Sequence, residues 1–210
     1  GGLNPINEII TRERGHINNY DFTVGTTINN VFNLGLSLSV KDISYSLTSN
    51  YLEDFSTDGG YTLTNWLTTN GAGVRAKFGA IYRPINELRL GIAYHTPTWY
   101  ALTETYEAEV DDDLGAFVTD PDYEPGQTFS KRFTNNYDLK TPGKFVASIA
   151  GVLGNRFILS MDYELMNYSN MKLLVPSNMS GSNDWYNIDN EYISEDFKAA
   201  STIKLGMEYR

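Results

Sequence analysis

The chain has 210 residues and a formal net charge of −10, with 16 Lys and Arg against 26 Asp and Glu. That balance argues against a nucleic-acid partner, because binding phosphate needs a basic face. Cysteine is absent, which removes disulfides and thiolate chemistry, and no apolar run approaches the roughly 20 residues of a membrane helix. The last exclusion does not reach β-barrels, whose strands alternate and give only a weak hydropathy signal.

Residues 1 to 18 are polar and turn-rich, with Pro5 and Gly15, and read as a loop. From Tyr20 to Asn29 the chain alternates: Tyr20, Phe22, Val24 and Ile28 oppose Asp21, Thr23, Gly25 and Thr27. Side chains on a strand point to opposite faces in turn, so this is a strand with one apolar and one polar face. A short turn at Asn29-Asn30-Val31 leads into a second strand from Phe32 to about Leu47. Here Leu34, Leu36, Leu38 and Val40 oppose Asn33, Gly35, Ser37 and Ser39. The phase flips after Lys41-Asp42, when Ile43, Tyr45 and Leu47 become the apolar set. Such a flip implies either an inserted residue or exit from the apolar layer.

Residues 49 to 70 break the pattern and read as a long connection with a helical turn around Leu63 to Leu67. The stretch Gly71–Tyr106 then reads as two long strands joined by Pro84-Ile85-Asn86-Glu87, a reversal with Pro and Asn where tight turns use them. Val74, Phe78 and Tyr82 share one face and Arg75, Lys77 and Gly79 the other, with Ile81 an apolar intruder. On the return, Leu90, Ile92 and Tyr94 oppose Arg89, Gly91, Ala93 and His95. Pro97 marks a strand irregularity, because proline cannot donate to the ladder.

Residues 107 to 132 form an acidic connection. A third hairpin runs from Phe133 to Val152, turns at Leu153-Gly154-Asn155 and returns from Arg156 to Leu174. Residues 175 to 197, rich in Ser, Asn and Asp, form a further connection, and Ala199 to Arg210 is a last strand. Seven strands result, and their connections alternate short and long. Several exceed ten residues, against five to six in ordinary globular sheets. Long strands, tight turns at one end and long loops at the other form the pattern of an antiparallel transmembrane β-barrel. Aromatic residues near strand ends, such as Tyr20, Tyr82, Tyr94, Trp99, Tyr163 and Tyr209, fit interfacial girdles. A soluble β-sandwich with one face in a core is the competing reading.

Four stretches carry a resemblance. They are KFGAIYRPINELRLGIAYHTPTWYALTETY, YDFTVGTTINNVFNLGLSLSV, YDLKTPGKFVASIAGVLGNRFILSMDYELMNYSNMKL and FKAASTIKLGMEYR. In that combination the chain resembles the long-chain fatty acid transporter family of Gram-negative outer membranes (the FadL and TodX group), most closely its Bacteroidetes branch. The resemblance implies a 14-stranded barrel plugged by an N-terminal hatch. It also implies passive uptake of fatty acids or other hydrophobic molecules, bound first among extracellular loops, then in a deeper pocket, and released sideways through the wall. Here the hatch is missing and about half the strands are present, so the gate and inner pocket do not carry over by residue. The whole of 1–210 reads as part of one barrel domain. It opens Gly-Gly and stops directly after an alternating run, as part of a larger protein would, with any signal peptide outside it.

Residues that could carry chemistry are few. The two histidines are His16 and His95, and there is no Gly-x-Ser-x-Gly elbow. No enzyme activity and no cofactor are expected; a barrel hydrolase would require a serine beside His95. His95 reads as a polar lumen or interface residue, and Pro97, within His95-Thr96-Pro97-Thr98-Trp99, as a strand irregularity or as a kink lining a ligand path. The charges Arg75, Lys77, Arg89, Asp162, Glu164, Lys204 and Glu208 carry both signs on the inward face. They read as pairs filling a lumen, or as a path for a carboxylate headgroup. Asp111-Asp112-Asp113 lacks the spacing of a calcium loop. Leu63, Trp66, Leu67, Phe117 and Phe129 are apolar groups in polar connections, readable as loop packing or as an outer hydrophobic groove. With His95 and Trp99 they are the candidate ligand-binding residues. The expected partners are a hydrophobic small molecule such as a fatty acid, and outer-membrane lipid. A non-transporting structural or adhesin-like barrel is the alternative.

Overall fold

The computed structural model describes residues 6–55, 59–114, 121–122, 124–154, 156–176 and 183–209. Its strands are β1 (Ile6–Ile28), β2 (Phe32–Asp54), β3 (Gly60–Ile85), β4 (Leu88–His95), β5 (Trp99–Asp113), β6 (Gly126–Phe129), β7 (Phe133–Lys140), β8 (Lys144–Leu153), β9 (Phe157–Asn167), β10 (Lys172–Leu174) and β11 (Ala199–Tyr209). One helix, α1, spans Asn187–Asp196. The strands form a single antiparallel sheet.

Its order resolves into seven lanes, because several strands are pieces of one. Both β4 and β5 pair with β3; β8 pairs with β4, while β6 and β7 pair with β5; β9 pairs with β8 and β10 with β7. With β1 on β2 at one end and β11 on β9 at the other, every lane lies beside its neighbours in sequence. The seven strands read from alternation are these seven lanes. Among the described residues β1 and β11 do not pair with each other, so the sheet is not closed.

Local chemistry explains the turns and the breaks. Asn29 and Asn30 have φ of 51° and 57°, left-handed values that Asn tolerates, in a three-residue connection where the Val31 N–H donates to the Ile28 carbonyl at 3.0 Å. Lanes four to six are broken at 96–98, 141–143 and 168–171. Pro97 and Pro142 have no N–H to give to a ladder. The two breaks are stitched together locally: the Thr98 N–H donates to the Thr141 hydroxyl at 3.0 Å, and the Thr141 N–H to the Thr98 carbonyl at 2.9 Å. In the sixth lane the Asn167 side chain accepts from the Ser169 N–H at 3.2 Å and its hydroxyl at 2.8 Å, winding Tyr168–Asn170 into a turn of 3-10 helix.

Several expectations need correction. The residues read as an opening loop belong to β1 from Ile6 onward. The connection expected over 49 to 70 is mostly strand, without a helical turn at Leu63 to Leu67. Thr62, Thr64, Thr68 and Thr69 are β-branched and favour a strand, but both faces are mixed there, which hides the alternation. The acidic connection likewise contains the end of β5 and all of β6, held in register as Asp112 opposite Gly126 and Glu109 opposite Phe129. No residue is inserted at the phase flip of the second strand. Thr27 meets Asn33, Thr23 meets Ser37, Asn18 meets Asp42, and Gly15 lies beside Tyr45, all in one constant register. The apolar set changes face instead.

Contacts divide the described residues into two units. The first takes those of Gly1–Ile17, Ile43–Gly71 and Leu102–Asn136, and the second those of Asn18–Asp42, Ala72–Ala101 and Tyr137–Arg210. In the first, Glu53 accepts from the Tyr51 hydroxyl at 3.1 Å and the Tyr61 hydroxyl at 2.8 Å. The Tyr106 hydroxyl donates to Asn65 at 2.7 Å, and Arg132 pairs with Glu107 at 2.9 Å. In the second, one face carries exposed apolar side chains, from Phe22 through Leu36, Phe78, Ile92 and Ile149 to Leu205. The other face is polar. Asp21 accepts from the Ser39 hydroxyl and from the Lys77 ammonium at 2.9 Å, and Glu164 holds Lys204 at 2.7 Å and Lys144 at 3.5 Å.

Tyr100 and Leu102, 9% and 7% exposed, are the only buried large apolar residues among those described. Tyr100 owes its place to Gly73, over which its ring lies: a Cβ at Gly73 would come within 2.3 Å of that ring. Gly73→Ala is therefore expected to destabilise the fold by about 1–3 kcal/mol through overpacking. In chemical denaturation, adding Gly73→Ala to a Tyr100→Ala background should produce a much smaller further loss. Equal losses in both backgrounds would place the strain elsewhere.

Candidate ligand-binding surface

On the polar face of the second unit the sheet carries a cavity of about 590 Å³. Its floor is built of small residues in neighbouring lanes: Gly35 on β2, Gly79 on β3, Gly91 and Ala93 on β4, Ser148 and Ala150 on β8. The ladder brings them together, with Gly79 opposite Ala93 and Gly91 opposite Ser148. Packing does not demand glycine at two of these positions. A Cβ at Gly35 would meet nothing within 4 Å, and one at Gly79 only the Ile92 carbonyl at 3.9 Å. The bare backbone there leaves space rather than resolving a clash.

Cationic and ring groups stand around this floor. Lys77 and His95 face each other across β3 and β4. Arg89 lies farther along β4, opposite Ala150. Lys77 is neutralised by Asp21, whereas Arg89 makes no ion pair among the described residues. Arg75, on the same face of β3, has its Nε buried without a hydrogen-bond partner there. A trough with an uncharged floor and cations at its rim suits an elongated apolar molecule with an anionic end. Among the described residues no hydroxyl is hydrogen-bonded to His95: Ser148 sits opposite Gly91, four residues along the strand, and the Ser37 hydroxyl engages Thr23 at 2.9 Å.

The candidate residues named from sequence do not converge on this trough. His95 lines it. The break at 96–98 inserts one residue into the lane: Lys77 faces His95, but the next inward ring is that of Tyr100 over Gly73. Trp99 consequently points to the apolar face, where it lines a separate recess of about 380 Å³ with Val40, Val74 and Leu174. In the first unit, Tyr61, Asn65 and Thr69 share a face through their bonds to Glu53, Tyr106 and Glu104. Alternation then puts Leu63 and Leu67 on that face and Trp66 on the opposite one. Phe129 is exposed on β6, and Phe117 lies outside the described residues. The sequence reading passed over the floor glycines; glycine recurring on the polar face at 35, 79 and 91 was the available signal.

Comparison of the chain with known protein families, with characterised proteins and with solved structures finds no match.

The first unit also holds one strongly shifted acid. The Tyr61 phenol is pushed up to about 12, first by donating to the Glu53 carboxylate, then by desolvation. A raised phenol stabilises the fold as long as it stays neutral. That contribution is complete below the ordinary value of 10.0 and is lost as pH rises through about 12. In an ultraviolet difference titration one tyrosine should ionise near 12, and Glu53→Gln should return it toward the ordinary range. An unchanged titration curve in that variant would show that Glu53 is not the cause.

Proposed function

We propose that this chain forms part of the wall of an outer-membrane β-barrel that passes hydrophobic small molecules, such as long-chain fatty acids, by passive diffusion. The observation that carries this reading is the trough floored by Gly35, Gly79 and Gly91, on the reverse of a sheet face whose apolar side chains are exposed in every lane. An apolar face of that kind needs an apolar medium, since burial is favourable by roughly 25 cal/mol per Å². No backbone group can stay unpaired in a bilayer, so the lanes at each end would be completed by further strands.

Dimensions agree with this reading. The outward apolar run from Tyr20 to Ile28 matches the roughly 9–11 residues that a tilted strand needs to cross. The 23 residues of β1 and of β2 reach far beyond that, so part of each strand would extend into water. The trough would take the acyl chain, with Arg89 near its carboxylate. A sideways route of the kind the resemblance implies would be sought first at the interruptions over 96–98, 141–143 and 168–171. The alternative, a structural or adhesin-like barrel, draws support from Trp66 lying on the opposite face to Leu63 and Leu67, so that these apolar groups line no common groove.

Uptake of labelled fatty acid by cells lacking their own transporter tests the proposal. Uptake should rise when the full-length protein is inserted. Gly79→Phe, whose site is sterically open, should return it toward background without reducing the inserted amount. Background uptake by inserted wild-type protein would remove fatty acid transport.

A further inference from the structure

We propose that Lys140 and Lys172 form a seat for the phosphate of a membrane lipid, whose acyl chain lies in the recess beside Trp99. This seat presupposes the bilayer reading of the apolar face, and adds to it a specific lipid headgroup at one place on the wall.

The two lysines stand directly opposite each other on β7 and β10. Like charges so placed repel and destabilise the pair of strands. Neither makes an ion pair or a hydrogen bond to another side chain among the described residues. Asp138, two residues from Lys140 and on the same face, offsets one charge at most, and Asp189 and Glu191 of α1, which flank the Asn190 bonded to Leu173, make no ion pair with either lysine among the described residues. An anion bridging the two ammonium groups would turn the repulsion into two charge-assisted hydrogen bonds.

Position decides which anion. Lys140 lines the 380 Å³ recess together with Val40, Val74, Trp99 and Leu174. Val40 ends the outward apolar series that begins at Leu34; two residues on, Asp42 meets Asn18 at 3.4 Å. The recess therefore marks the margin where the apolar face gives way to polar side chains. Tryptophan is the residue favoured at such a margin. A free phosphate would gain nothing from the apolar recess under the lysines. A phospholipid gains from both, with its chain against Val40, Val74 and Leu174 and its phosphate on the ammonium groups.

The experiment places the full-length protein in phosphatidylcholine vesicles with or without a minor fraction of phosphatidic acid. It then measures lipid retained on extraction and the thermal midpoint. Wild-type protein should retain phosphatidic acid selectively and melt higher in its presence. Lys140→Gln with Lys172→Gln should lower that retention about tenfold and abolish the added stability, while entering the vesicles as wild type does. Lys140→Arg with Lys172→Arg should preserve both effects, and Lys131→Gln should change neither. Equal retention by wild type and the double glutamine variant would overturn the seat and leave the bilayer reading standing. Displacement of the lipid by inorganic phosphate at matching concentration would overturn the acyl contribution. Failure of wild-type protein to enter either vesicle would overturn the bilayer reading, and the seat with it.

Discussion

The ladder is the constraint on which everything else rests. Each side chain on a strand must point opposite to its neighbour, and each backbone group must find its partner in the adjacent lane. Once Thr23 is set beside Ser37 and Gly79 beside Ala93, every residue that continues the ladder from them without interruption has its face decided. A shift of one residue would exchange the exposed apolar side chains for the charged set. The paired charges hold this register from the polar side: Asp21 reaches Lys77 across the intervening β2, and Glu164 draws in lysines from the lanes on both sides.

Breaking the ladder is how the fold varies what it presents. Prolines at 97 and 142 withdraw donors from adjacent lanes at one level, and the paired threonines 98 and 141 recover part of the loss. The residue gained at the first break turns Trp99 to the apolar face and Tyr100 onto Gly73. Without that shift the ring of Trp99 would join His95 on the polar side. The same irregularity thus separates an inner trough from an outer recess and gives the two different linings.

Charge is distributed against the average. The chain is acidic overall, but Arg89 and Arg75 lie on the face of the uncharged floor beside the Lys77–Asp21 pair, and Lys140 faces Lys172 on the reverse. Concentrating cations locally has an electrostatic penalty, and the simplest physical account is an anionic guest that relieves it. On this view both surfaces address amphiphiles, one the proposed cargo and the other the proposed solvent.

Alternation made most of the sheet legible. The seven lanes and the two faces of the stretch 71–95 could be read from period two, because that signal is local to each strand, and the reversals at Asn29-Asn30-Val31 and Pro84-Ile85-Asn86-Glu87 from their Asn and Pro. Residues 6 to 18 and 60 to 70 were misread because their faces are mixed, so pairing rather than patterning makes them strands. The candidate site was legible only at His95. The sequence by itself determined which residues share a face wherever the alternation is clean, as over residues 20–28, 34–40, 88–95 and 157–165. Only the tertiary structure decided which lanes stand side by side, and so which small residues add up to a trough and which lysines oppose each other. Register between strands is a relation between distant parts of the chain, and no single stretch of it contains that information.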